Sequence, residues 1–170
     1  MVPAAHSGRR LATDDRGTAA VEFALWCTLF FLTITVALDF GLFYVKRGAI
    51  NEAIGAVAVS SFETRETVPF NQIPSFVQAL SDEPDLVIDI RCNGQPGCVN
   101  DERTCACMKG DGTFVPLACG TACTAAGTTA GSTAGYYLTI SARQSYQPVL
   151  VPGSTALPAE IAQHTTVRLQ

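Results

Sequence analysis

The dominant pattern in the chain is an apolar run close to its N-terminus. It extends from residue 23 to residue 45, FALWCTLFFLTITVALDFGLFYV, and Asp39 is the only charged residue within it. At about 1.5 Å per residue, a helix of this length can cross the roughly 30 Å hydrocarbon layer of a membrane. The pattern therefore predicts a single membrane-spanning helix over about residues 19–45.

Two other interpretations of the run are weaker. A secretory signal has an apolar region of only about 7–15 residues, and the nearest A-x-A cleavage pattern, Ala56 to Ala58, lies well beyond the end of the run. A buried helix of a soluble protein would show a polar face, which so continuous a run does not leave. The membrane helix remains the favoured interpretation.

The helical pattern continues past the membrane span to about Phe62. Apolar or small residues recur every three or four positions, as one face of a helix requires; they are Ile50, Ile54, Val57 and Ser61. Gly41, Gly48 and Gly55 recur every seventh residue and so lie near one face, where another helix could approach closely. We expect the polar residues 63–67 and the following Pro69 to end the element.

Residues 68–170 show the mixed pattern of a small α+β domain. A short helix is predicted over 74–80, where a proline fits the first turn. Alternation of apolar and polar residues predicts a strand in DLVIDIRC and two more in GYYLTISARQSYQPVL and AEIAQHTTVRLQ. We expect the last two strands to pair, and a small antiparallel sheet to pack on the helices.

A long loop, residues 92–135, carries six of the seven cysteines: Cys92, Cys98, Cys105, Cys107, Cys119 and Cys123. An even set in a small domain favours three disulfides in an oxidising compartment, and the sequence does not choose among the 15 possible pairings. Cys105 and Cys107 are too close to bond readily, so we expect one to pair with Cys92 or Cys98 and the other with Cys119 or Cys123. Zinc is the rival interpretation, but only Cys119-x3-Cys123 has a suitable spacing.

Composition and charge exclude several classes of function. Of the 170 residues 48% are hydrophobic, and the net charge is −4 with scattered basic residues, so nucleic-acid binding is not expected. The sequence contains no catalytic motif, and neither His6 nor His164 has the neighbours of a catalytic histidine. We therefore expect no enzyme activity, no metal site and no cofactor.

Glu22 is the residue that the membrane interpretation leaves unexplained. It and Asp39 are seventeen residues apart, or roughly 25 Å along a helix, so at least one carboxylate lies near the edge of the hydrocarbon. A charge in a membrane helix usually has a partner. Cleavage after Gly17 would create one, because the new amine of Thr18 could pair with Glu22 of a neighbouring subunit or, less specifically, of the same chain.

The string Gly17-Thr18-Ala19-Ala20-Val21-Glu22-Phe23 resembles the processing site of type IV prepilins and pseudopilins. Together with LDFGLFYVKRGAINEAIGAVA, it is similar to the N-terminal region of TadE-like minor pilins of the tight-adherence (Flp) pilus system. The resemblance covers residues 16–60.

This resemblance implies a prepilin-peptidase substrate with a leader over residues 1–17 and an N-terminal helix over 18–62. Gly17 and Thr18 would flank the cleaved bond, and Glu22 and Phe23 would act in assembly. The implied partners are other pilins, the inner-membrane assembly platform and the membrane itself. The implied location is the bacterial inner membrane with the C-terminal domain in the periplasm, or the pilus. The alternative is a membrane-anchored binding module that recognises a ligand through its Cys-rich loop.

Overall fold

A single long helix carries a small sheet domain on its C-terminal half. The structure, a computed structural model, describes residues 15–150 and 158–170. Helix α1 extends over Asp15–Glu63, 49 residues or about 73 Å. It ends one residue after the predicted position, where the polar residues that precede Pro69 begin.

The elements after α1 follow the predicted order. A short 3-10 turn, Phe70–Gln72, leads directly into α2, Ile73–Ser81, which has proline in its first turn. The main strands are β1 (Val87–Cys92), β4 (Tyr137–Ser145) and β5 (Glu160–Arg168). The predicted α+β fold is confirmed.

The main sheet is antiparallel and has the strand order β1-β4-β5. Strands β4 and β5 pair along their whole length, from Tyr137 opposite Arg168 to Ser145 opposite Glu160, so the predicted pairing of the last two strands is confirmed. Alternate residues of β4, including Leu138, Ile140 and Ala142, are fully buried. This face of the sheet packs on the helices because side chains alternate between the two faces of a strand.

The core lies between the sheet and one face of α1. The residues predicted for that face, Ile50, Ile54, Val57 and Ser61, are all buried. Val77 of α2 and Leu138 of β4 join them in the same cluster. The helix that is exposed near its N-terminus is therefore a central core element in its second half.

The Cys-rich segment contains a second, two-stranded sheet that the sequence did not predict. Strands β2 (Ala106–Met108) and β3 (Phe114–Pro116) pair antiparallel with each other. Their side chains bury a separate small cluster of Cys105, Cys107, Cys123 and Ala134. Three-residue strands are too short to show an alternating pattern, which explains why they escaped prediction.

Candidate functional site

The first half of α1 is uncovered by the rest of the described chain. None of residues 17–38 is buried, and the helix contains a window of mean hydropathy 2.0. Glu22 is exposed, and so is Phe23, with 71% of its surface accessible. By length and composition this helix can cross a membrane, and the chain is consistent with a single-pass membrane anchor.

The predicted cleavage position lies inside this helix. Gly17 and Thr18 are helical and exposed, because α1 already begins at Asp15. Residues 1–14 of the predicted leader, which include His6, lie outside the described residues. Glu22 follows Thr18 by four positions, so both residues lie on the same face of the helix.

Asp39 is buried by protein, with only 3% of its surface exposed. Its carboxylate oxygen Oδ1 accepts hydrogen bonds from the backbone N–H groups of Val149 and Leu150, at 3.1 and 3.0 Å. These residues follow the end of β4, so the sheet domain reaches down to this level of the helix. The residue predicted as an intramembrane acid is thus part of the junction between helix and domain.

Tyr146, the first residue after β4, also contacts α1 at this junction. Its hydroxyl donates a hydrogen bond to the backbone carbonyl of Asp39 at 3.2 Å, and its ring packs edge-on against Phe43. Burial of the phenol raises the pKa of Tyr146 and the charge of Asp39 raises it further, while Lys46 acts in the opposite direction. The hydroxyl therefore stays protonated and available as a donor.

An ion pair above this junction connects three elements. The Lys46 ammonium on α1 lies 2.7 Å from Oε1 of Glu83, which follows α2. The side-chain amide of Gln144, on β4, donates to Oε2 of the same carboxylate at 2.5 Å. The hydrogen bond from Lys46 is the main cause of a lowered pKa of Glu83, opposed by partial burial.

The glycines of α1 lie on the side that faces away from the domain. At 100° per residue, Gly41, Gly48 and Gly55 lie about half a turn from the buried residues Ile50 and Val57. A methyl group built on any of the three would meet nothing within 4 Å. Gly41 and Gly48 are exposed and Gly55 is half-buried, so at these three positions the described chain leaves the helix backbone accessible.

All six cysteines of the loop form disulfides. The pairs are Cys92–Cys98, Cys105–Cys119 and Cys107–Cys123, and Cys27 in the apolar run is the one free cysteine of the described residues. Disulfide sulfurs cannot act as thiolate ligands, so the structure favours the disulfide interpretation over zinc. The expectation that one of Cys105 and Cys107 pairs with Cys92 or Cys98 is wrong, because both bond downstream, across the two-stranded sheet, and Cys92 closes a tight turn with Cys98.

The Cys-rich segment is attached to the far end of α1 by polar contacts. Asn100 exchanges two hydrogen bonds with the backbone of Val68, at 3.0 and 3.1 Å. Arg103 donates to the backbone carbonyl of Arg65 and lies over the ring of Tyr136, 5.1 Å from its centre. The domain therefore holds α1 at two levels, near Asp39 and beyond Glu63.

Sequence reasoning missed the residues that make these attachments. Val149 and Leu150 contribute backbone groups, which leave no trace in residue type. Tyr146 lies within GYYLTISARQSYQPVL, which the alternating pattern predicts to contain a strand, and in the structure it is buried. The sequence did contain one signal, since an acidic residue within an apolar helix requires partners.

An exposed apolar helix that continues into the core of a disulfide-bonded α+β domain defines a class of proteins. In this class, one N-terminal helix that is long and apolar enough to cross a membrane carries a small folded domain. Within this class, residues 17–58 match the family model described as TadE-like protein. The resemblance drawn from the sequence is confirmed over this segment, which forms most of α1. A search of curated proteins and a search of solved structures gave no match.

Proposed function

We propose that this chain is a minor pilin of a tight-adherence pilus, processed by a prepilin peptidase after Gly17 and assembled through α1. The observation that carries the proposal is the position of Glu22. It is an exposed carboxylate at the start of an uncovered apolar helix, five residues after a glycine. The TadE-like match of the same segment supports this assignment.

Cleavage gives Glu22 a partner of suitable charge and depth. A carboxylate at the centre of a membrane helix costs on the order of 2.5–3.5 kcal/mol, and less near the interface. The amine of Thr18 would lie one helical turn from Glu22, close to the same membrane surface. Pairing with Glu22 of a neighbouring subunit would offset the cost and fix the relative height of the two helices.

The buried position of Asp39 narrows the membrane-spanning segment. Asp39 and Phe43 are covered by the domain, so lipid would surround α1 on all sides only as far as Leu38; beyond it, lipid would reach only the exposed face that carries Leu42 and Val45. Residues 19–38 extend about 30 Å, which equals the thickness of the hydrocarbon layer. The domain over 68–170, with its three disulfides, would then lie in the oxidising periplasm.

We assign the glycine face of α1 to contact with another pilin helix. This face points away from the chain's own domain and presents no side chain at three positions. Small residues allow close approach of helix backbones. The inner-membrane assembly platform and other pilins are the partners that this surface would serve.

Processing is tested by the N-terminus of the protein extracted from membranes. In cells that contain the prepilin peptidase, sequencing and intact mass should show a chain that begins at Thr18. In cells without the peptidase, and for Gly17→Trp, the leader should remain. A chain that keeps its first seventeen residues in peptidase-containing cells would contradict the proposal.

The role of Glu22 is tested by Glu22→Gln, with Glu66→Gln as the control. Both residues are exposed acids, but Glu66 lies beyond the end of α1 and so away from both the new terminus and the glycine face. Glu22→Gln should leave membrane insertion intact and reduce pilus assembly at least tenfold, while Glu66→Gln should assemble normally. The alternative, a membrane-anchored binding module, predicts normal behaviour of Glu22→Gln and loss of function on substitution in the Cys-rich loop.

A further inference from the structure

The segment that follows β4 contacts α1 at Asp39, which is the first of residues 17–63 to be buried. The amides of Val149 and Leu150 donate to the carboxylate of Asp39, which fixes their height. Side chains on a helix tilt toward its N-terminus, so this carboxylate points to the side of the uncovered helix. Val149 and Leu150 are therefore level with the end of the apolar segment, or slightly below it.

Both side chains are exposed although they are apolar. Val149 keeps 68% of its surface accessible and Leu150 keeps 45%. On α1, at the same height, Leu38 and Leu42 are also exposed, with 54% and 45% accessible. Exposed apolar side chains from α1 and from the segment after β4 therefore lie at the same height along the helix axis. We call this set the apolar collar: Leu38, Leu42, Val149 and Leu150.

The distribution of charge around this level matches a membrane surface. The end of β4 and the described segment after it have no charged residue from 144 to 150, and Arg143 precedes that stretch. On α1 the first basic residues after the apolar run are Lys46 and Arg47, about 10 Å beyond Asp39. Basic residues at that distance from the hydrocarbon fit the headgroup layer.

We propose that the domain rests on the lipid bilayer through this collar, with Val149 and Leu150 inserted among the acyl chains of the periplasmic leaflet. The inference depends on the proposed membrane anchor, because α1 sets the height of the collar. The occupant is lipid because the collar continues the lipid-facing surface of α1 without a break. The contact would fix how far the domain stands from the membrane before the subunit joins an assembly.

Tryptophan fluorescence in vesicles tests the contact, since Trp26 is the only tryptophan of the chain. In a Trp26→Phe background, Leu150→Trp is compared with Val99→Trp. Val99 is a matched control because it is 47% exposed, about as much as Leu150. It lies at the opposite end of the domain, where its backbone N–H donates a hydrogen bond to the Tyr136 hydroxyl. The proteins are reconstituted at low density in phosphatidylethanolamine and phosphatidylglycerol vesicles, with or without lipids brominated near the headgroup end of the acyl chain.

Lipid contact at the collar predicts that bromolipids quench the tryptophan at position 150 at least twofold and leave the one at position 99 unchanged. Acrylamide, which is dissolved in the water, should quench the tryptophan at position 99 more strongly than the one at position 150. Absence of bromolipid quenching at position 150 would overturn the inference, whether the residue is in water or covered by protein. Val149→Trp gives the same comparison if Leu150→Trp does not fold.

The wild-type protein separates this inference from the proposed anchor. Trp26 lies on the uncovered part of α1 and should be quenched by bromolipids wherever the helix spans the membrane. Quenching of Trp26 without quenching at position 150 leaves the anchor intact and removes only the collar contact. Absence of quenching at Trp26 contradicts the anchor itself, and the collar contact with it.

Discussion

At the scale of the residue, Asp39 shows how an acidic group is accommodated in an apolar helix. Its carboxylate accepts two backbone hydrogen bonds from the segment after β4, and its own carbonyl accepts one from Tyr146. Hydrogen bonds to a charged group contribute about 1.5–3 kcal/mol, which offsets the loss of hydration. Asp39 therefore acts within its own chain, whereas Glu22 is exposed to whatever surrounds the helix.

Replacement of Asp39 should loosen the lower end of the domain. Asp39→Leu removes the acceptor for the amides of Val149 and Leu150, and we expect a loss of about 1.5–3 kcal/mol in the free energy of unfolding. Asp39→Asn keeps a carbonyl oxygen and should lose less. Denaturant unfolding in detergent micelles measures the loss, and hydrogen exchange of the two amides locates it.

The control for this prediction is Glu52→Leu, because Glu52 is an exposed acid on the same helix. It should change neither the unfolding free energy nor the exchange at positions 149 and 150. If Asp39→Leu behaves like Glu52→Leu in both measurements, the carboxylate does not hold the domain.

At the scale of the element, the second half of α1 has two faces with different contacts. One face of its second half is buried under the sheet, and the opposite face presents Gly41, Gly48 and Gly55. The same helix can therefore hold its own domain and approach a neighbour without competition between the two contacts.

Substitution of a glycine separates these two roles. Gly48→Leu has room in the isolated chain and improves helix propensity, so the unfolding free energy should rise by up to about 1 kcal/mol. The added side chain blocks close approach of a second helix, so pilus assembly should fall. Ser60→Leu, at an exposed position about 100–140° from all three glycines around the helix, is the control and should assemble normally. Normal assembly of Gly48→Leu would remove the glycine face from the interface.

The ion pair between α1 and the residue after α2 makes the packing of these elements sensitive to pH. The pKa of Glu83 is lowered in the folded protein, chiefly by Lys46. The folded state therefore binds the proton of Glu83 less readily than the unfolded chain does. This contribution to stability is fully present above the ordinary carboxyl pKa, 4.5, and is lost as the pH falls through the lowered value.

Glu83→Gln should remove this part of the pH dependence. Because the Lys46 side chain is 45% exposed, we expect a loss of about 0.5–1 kcal/mol at neutral pH and none in strong acid. Unfolding measured from neutral pH into acid tests this, with the exposed Glu66→Gln as the control. If the unfolding free energies of wild type and Glu83→Gln differ by the same amount at every pH, the ion pair with Lys46 is not the cause of the pH dependence.

The elements show what could be read from the sequence. Long periodic segments were predicted well: the ends of α2 and the C-terminal end of α1 lie one residue from their predicted positions, and the last two strands pair as expected. The disulfide pairing and the strands β2 and β3 were not, because short strands carry no period and cysteine spacing does not fix connectivity. The contact of the Asp39 carboxylate with Val149 and Leu150 was hidden because their backbone amides leave no trace in residue type.

At the scale of the whole molecule, the domain contains two cores that are stabilised in different ways, one by apolar packing and the other by disulfides. The larger one joins α1, α2 and the three-stranded sheet through aliphatic and aromatic side chains. The smaller one contains Cys105, Cys107, Cys123 and Ala134, and two disulfides pass through it. So small an apolar cluster cannot hold its segment without the covalent bonds.

Loss of those two disulfides should therefore unfold one part of the molecule and spare the other. A disulfide that closes a loop of about fifteen residues contributes on the order of 3 kcal/mol. In a variant with Cys105, Cys107, Cys119 and Cys123 changed to serine, the amides of 106–108 and 114–116 should exchange freely, while those of 138–142 stay protected by the larger core. Cys27→Ser is the control, because this cysteine is unpaired and lies outside both cores. Equal loss of protection in both parts would show that the two cores fold as one unit, and that the Cys-rich segment supports the sheet that holds α1.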